Sequence, residues 1–91
     1  MTEPIDVFVV TTHAAFEMRR RGIDEAIVRE VLAAPEQRQT ARPGRDVVQS
    51  RFEMAGKWYL VRVFVDVDRA PAEVVTAYRT SKIEKYWSAG A

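Results

Sequence analysis

Residues 57–67 read Lys57-Trp58-Tyr59-Leu60-Val61-Arg62-Val63-Phe64-Val65-Asp66-Val67 and carry the clearest strand signal in the chain. Tyr59, Val61, Val63, Val65 and Val67 occupy alternate positions, so in a β-strand all five point to one face. The opposite set, Trp58, Leu60, Arg62, Phe64 and Asp66, is neither clean core nor clean surface. An arginine set among strongly apolar neighbours on a central strand must pair with a carboxylate, lie at the edge of a groove, or bind an anion. A structural ion pair would draw on Asp66 or Glu53, the nearest candidates. The ion pair and the anion site stand as alternatives.

Outward from this strand, turn residues mark its neighbours. Ala55-Gly56 precedes it, and before that Asp46 to Met54 sets Val48, Phe52 and Met54 against Gln49, Arg51 and Glu53. Pro43-Gly44 is a further turn, and Glu36 to Arg42 reads as a polar edge strand. Downstream, Asp68-Arg69-Ala70-Pro71 turns the chain into a last strand, Glu73 to Arg79. Sequential strands joined by tight turns form an antiparallel meander.

Toward the N-terminus the period becomes helical. Ile5 to Val10 is a short, β-branched strand. Thr11-Thr12 offers an N-cap for a helix over His13 to Arg21, closed by Gly22. Asp24 caps a second helix, with Ile23 and Val28 at the spacing of a hydrophobic staple and Ile27, Val28, Val31 and Leu32 as its apolar stripe. That stripe stops at Ala34-Pro35. The expected class is therefore α+β, in one domain over residues 1–91.

Composition narrows the classes of function. With 47% hydrophobic and 30% charged residues, the balance is that of an ordinary soluble domain. There is no cysteine, so disulfides and thiolate metal sites are excluded and a reducing cytoplasm is the expected location. No apolar run approaches the roughly 18 residues that span a bilayer, so no membrane association is expected. The opening Met1-Thr2-Glu3-Pro4-Ile5-Asp6 carries acid where a signal peptide carries base. Net charge is only +1, small for a nonspecific nucleic-acid binder. The cations are nonetheless clustered, at Arg19-Arg20-Arg21, along Arg38, Arg42, Arg45 and Arg51, and at Arg79, Lys82 and Lys85. Arg19 to Arg21 also oppose the negative end of their helix dipole, which alone would account for them.

Tyr78-Arg79-Thr80-Ser81-Lys82-Ile83-Glu84-Lys85-Tyr86-Trp87 packs three cations and three aromatics into ten positions after the last strand. Rings stack on bases and cations pair with phosphates, so this composition suits a phosphodiester chain. It suits equally a short amphipathic helix that docks Ile83, Tyr86 and Trp87 and leaves Lys82, Glu84 and Lys85 in water.

Thr12-His13-Ala14, Met18, Arg21-Gly22-Ile23 and the closing Tyr78-Arg79-Thr80-Ser81-Lys82-Ile83 with Lys85-Tyr86-Trp87 resemble an uncharacterised family of small bacterial proteins, itself similar to the RelE/ParE/BrnT toxins of toxin–antitoxin operons. The resemblance runs from about position 12 to position 87 and includes no catalytic signature. It implies a RelE-like architecture: two N-terminal helices packed on a twisted antiparallel sheet of about four strands, with a short C-terminal helix. Some members of that group cut mRNA and others poison a protein target, so fold alone does not choose between them.

Carried onto matching positions, the resemblance implies Arg62, Arg79 and Lys82 as phosphate-binding members of a metal-independent RNA endonuclease. Tyr78, Lys85 and Tyr86 become RNA-binding residues, the tyrosines stacking on bases or moving protons. The family often has an arginine where Glu17 stands here, which puts a basic role for the first helix in doubt. His13 and Glu17 lie at i and i+4, so the carboxylate can orient the imidazole as a general base. RNA cleavage without metal needs such a base and cations that stabilise the phosphorane. No cofactor and no metal are expected, since one histidine and scattered carboxylates lack ligand spacing. The implied partner is a small antitoxin-like protein covering the mixed face of Trp58, Leu60, Arg62 and Phe64.

Three readings follow: an endoribonuclease toxin acting on RNA, a non-catalytic protein-binding module or degenerate toxin relative, and a structural subunit whose exposed Trp58, Leu60 and Phe64 form a homodimer or partner interface.

Overall fold

The computed structural model describes residues 2–88. Its elements are β1 (Phe8–Val10), α1 (Thr12–Arg20), α2 (Glu25–Ala33), β2 (Gln37–Arg42), β3 (Arg45–Met54), β4 (Lys57–Asp66), β5 (Ala72–Thr80) and α3 (Ile83–Tyr86). The strands form one sheet in the order β1-β5-β4-β3-β2. The meander β2 to β5 is antiparallel, as the turns predicted. The sheet has five strands rather than about four, because β1 adds to the outer edge of β5 in parallel. A parallel neighbour needs a crossover. Here α1 and α2 carry the chain from one edge of the sheet to the other before β2 begins.

Local chemistry fixes the helix ends. Thr11 Oγ1 accepts the Ala14 N–H at 3.0 Å, and Asp24 Oδ1 accepts that of Ala26 at 3.0 Å. Between the helices Gly22 takes φ +68°, a left-handed conformation that a side chain would oppose.

Ala14, Met18, Ile23, Val28, Val31 and Leu32 pack on one face of the sheet, against Val48, Val61, Val63, Val65, Val74 and Ala77. Burying each valine, leucine, isoleucine or methionine side chain of this set contributes about 1.5–3 kcal/mol, so this layer drives folding. Between β4 and β5 the register shifts after Phe64, so that Val74, not Val75, comes opposite Val65 and enters the core. The other face of β4 looks away from α1 and α2, and the chain folds α3 back over it. Among the described residues no helix is long and apolar enough to cross a membrane.

Candidate functional site

Four residues lie directly opposite one another across four strands on the α3 side: Gln37 of β2, Gln49 of β3, Arg62 of β4 and Tyr78 of β5. Their side chains form a hydrogen-bonded row perpendicular to the strands. Arg62 Nη1 donates to the Tyr78 hydroxyl oxygen at 2.7 Å, and Arg62 Nε donates to Gln49 Oε1 at 2.9 Å. Gln49 Nε2 donates to Gln37 Oε1 at 2.7 Å and to the Tyr86 carbonyl at 3.0 Å. Gln37 closes the row onto the segment after α3, donating to the Ser88 carbonyl and accepting the Ser88 N–H, both at 3.0 Å. Gln39 donates to the Ser88 hydroxyl. Gln49 is fully buried, and no buried side-chain polar atom among the described residues lacks a partner.

The row has a fixed polarity. A guanidinium only donates, so Arg62 obliges Gln49 to present its oxygen, which turns the Gln49 amide nitrogen toward Gln37. Aromatic rings flank the half-buried Arg62, whose guanidinium carbon lies 4.5 Å from the Tyr86 ring centroid, 5.4 Å from Phe64 and 5.7 Å from Tyr78. No carboxylate pairs with it among the described residues. Neither ion-pair partner expected from sequence is used: Asp66 is held by Arg45 at 2.6 Å and Arg69 at 3.7 Å, and Glu53 forms no ion pair among the described residues. Asp66 lies at the far end of β4, where Arg45 is its direct cross-strand partner. The positive charge of Arg62 is thus met by an amide oxygen, a hydroxyl and π-faces, all neutral.

Around this row α3 does what an amphipathic helix does. Ile83, Tyr86 and Trp87 are half-buried, while Lys82, Glu84 and Lys85 are exposed. Lys82 is the residue before the helix, its N–H donating to Thr80 Oγ1, and Lys85 lies 5.4 Å from the Tyr86 ring centroid. Beside α3 a groove of about 810 Å3 is lined by Glu36, Arg51, Trp58, Ile83, Glu84 and Trp87.

The remaining residues singled out from sequence lie elsewhere. Arg79 follows Tyr78 on β5 and therefore points to the opposite face, opposite Val61. Its guanidinium sits 5.0 Å from the Tyr59 ring centroid, and Nη1 is 3.4 Å from the Met54 sulfur. His13 and Glu17 lie on α1, on that same helix-covered side of the sheet. His13 Nε2 is 3.9 Å from Glu17 Oε1, beyond hydrogen-bonding distance, and its side chain is 71% exposed. Glu17 is engaged instead by Arg20 at 2.5–2.9 Å, whose hydrogen bonds hold its carboxyl below the usual carboxylate range, and more weakly by Arg21. Arg21 also caps the open edge of β5 where β1 stops, donating to the Ala77 carbonyl at 2.9 Å. The structure brings Arg62, Tyr78 and Tyr86 together, with Lys82 and Lys85 flanking, and sets His13, Glu17 and Arg79 on the other side.

The basic stretch along β2 and β3 is largely neutralised. Arg38 pairs with Asp46, Arg45 with Asp66, and Arg51 with Glu36. The surface expected for a homodimer is also smaller than its sequence suggested. Leu60 is fully buried and Phe64 half-buried, because α3 folds over this face, and only Trp58, 56% exposed, remains open. Gln37, Gln39 and Gln49 were not singled out from sequence. The available signal was the two-residue turn Ala55-Gly56, which sets Met54 opposite Lys57 and so Gln49 opposite Arg62.

A family described as a domain of unknown function, DUF4258, matches residues 10–79. No curated protein and no solved structure matches the chain.

Proposed function

We propose that this chain, which belongs to the DUF4258 family, is a toxin-like domain that binds single-stranded RNA over the α3 face of its sheet. Arg62 takes a phosphate, Tyr78 donates its hydroxyl proton to the same phosphodiester, and Lys82, Lys85 and Tyr86 hold the flanking strand. The observation that carries this reading is the cation on the central strand, met only by neutral groups. A guanidinium held in a fixed orientation with its charge uncompensated is an anion-binding group. Because the Tyr78 oxygen accepts from Arg62, the phenolic proton is left to point at a ligand. In the endonuclease form, the 2′-hydroxyl attacks phosphorus as its proton passes to solvent water, and the bond to the 5′-oxygen breaks as that oxygen gains a proton from Tyr78, which solvent then returns to the phenolate. The resemblance to RelE/ParE/BrnT toxins, the antitoxin-like partner and the RNA target all belong to this proposal.

A specific observation favours the non-catalytic form. His13, the imidazole base expected from sequence, lies with Glu17 on the other side of the sheet from Arg62. Strand binding without cleavage needs only the α3 face.

Induction of the wild-type chain in a bacterial host, beside Arg62→Lys, Lys82→Ala and His13→Ala at matched soluble expression, tests both forms. Arrest by wild type and by His13→Ala, relieved in Arg62→Lys and Lys82→Ala, is expected. Normal growth with wild-type protein that also fails to shift a labelled uridine dodecamer would overturn the reading.

A further inference from the structure

The groove beside α3 has a chemistry opposite to that of Arg62. Its walls are Trp58, Ile83 and Trp87, two indoles and an aliphatic chain. Arg51, its one cation, is already used: its guanidinium holds Glu36 at 3.0 Å and lies 4.1 Å from the Trp87 ring centroid. Within the groove's own lining the charge left uncompensated is negative, and Lys82 and Lys85 are exposed at α3 outside that lining. Glu84 is exposed on α3, and Glu53 is exposed directly opposite Trp58 across β3 and β4, and neither has an ion-pair partner among the described residues. Trp58 is 56% exposed, the largest open apolar side chain among the described residues.

We infer that this groove is a second binding surface, separate from the Arg62 row, and that its occupant is a peptide segment carrying an arginine or lysine beside an aliphatic or aromatic side chain. The charge pattern selects that chemistry. A nucleic-acid strand laid here would bring phosphates to two uncompensated carboxylates, whereas a cationic side chain gains from both and from the face of Trp58. About 810 Å3 lies within the range of sites that enclose a small ligand or a pair of side chains. An exposed tryptophan that shares its groove with Glu84 and faces Glu53 across the strands provides both parts of a peptide anchor, the apolar pocket and the orienting charge. The inference holds whether or not the Arg62 row binds RNA.

A random dodecapeptide library displayed on phage, panned against the wild-type domain and against Trp58→Ala and Glu84→Lys, tests it. Both positions are exposed, so both variants should keep the wild-type melting temperature. Enriched sequences should carry Arg or Lys within a few positions of an apolar residue. Synthesised as free peptides, they should bind at least tenfold more weakly to either variant. The inference is overturned by no enrichment, by enrichment of acidic peptides, or by binding that both variants retain. It is equally overturned if a uridine dodecamer quenches tryptophan fluorescence in the wild type and not in Trp58→Ala, or if the chain self-associates through Trp58.

Discussion

Arg62 and Gln49 face each other across β4 and β3, and the hydrogen bond between them, Arg62 Nε to Gln49 Oε1 at 2.9 Å, sets the direction of every amide in the row. Gln49 is fully buried and uses its oxygen once and its nitrogen twice.

Gln49→Ala should therefore cost more than a lost hydrogen bond. It strands Arg62 Nε on one side and the Tyr86 carbonyl on the other, while Gln37 Oε1 keeps the Ser88 N–H, and a buried polar group left unpaired costs about 1–3 kcal/mol. Arg62→Met in the same chain removes one stranded partner, and double replacement by apolar groups of similar shape is often nearly neutral. Urea unfolding of the two single variants and the double variant should give a double that is less destabilised than the sum. Strict additivity would show that the pair is not coupled.

Asp66 is the least exposed carboxylate in any ion pair among the described residues, and it meets Arg45 at 2.6 Å between the end of β4 and the start of β3. The Arg45 hydrogen bonds hold the Asp66 carboxyl below its ordinary value, and Arg69 adds to this. A carboxyl lowered in the folded state stabilises fully above its unfolded value of about 3.9 and loses that contribution as pH falls through the folded value. Urea midpoints should thus be flat from pH 7 to about pH 5 and fall below about pH 4. Asp66→Asn should lower the plateau and make the acid decline shallower, whereas an unchanged acid limb would place the effect elsewhere. Glu17 and Glu36 shift in the same direction, but Glu36 and the arginines that hold both are more open to water, so each contributes less.

The fold was legible because its signals are local. Thr11, Asp24, the α2 stripe and the Pro43-Gly44 and Ala55-Gly56 turns fall at or within two residues of the observed boundaries. β1 was legible as a strand, but its place beside β5 was not, since parallel pairing leaves no turn to read. The α3 side was read from adjacency in sequence, which joined Arg79 to Lys82, although alternation on β5 sends Tyr78 and Arg79 to opposite faces. Placing Gln37 in the row was harder. A register shift between Thr40 and Arg42 moves β2 by one residue, and a one-residue slip exchanges the faces.

Tyr78 and Tyr86 both touch Arg62, but through different atoms, and this separates binding geometry from hydroxyl chemistry. Tyr78 offers its oxygen to Arg62 at 2.7 Å, whereas Tyr86 offers its ring face at 4.5 Å and its hydroxyl has no partner among the described residues. Tyr78→Phe deletes an acceptor for a half-buried guanidinium and the proton assigned to the phosphodiester. Tyr86→Phe keeps the ring, the cation–π contact and the Gln49 bond to the backbone carbonyl. Tyr86→Phe should match wild type in melting temperature, in affinity for a labelled uridine dodecamer and in growth arrest. Tyr78→Phe should be about 1 kcal/mol less stable, the usual size of one such hydrogen bond. It should also bind the dodecamer several-fold more weakly and relieve the arrest. Equal behaviour of the two variants, or loss of function in Tyr86→Phe alone, would remove Tyr78 from the site and leave Arg62 stacked between rings as a purely structural cation.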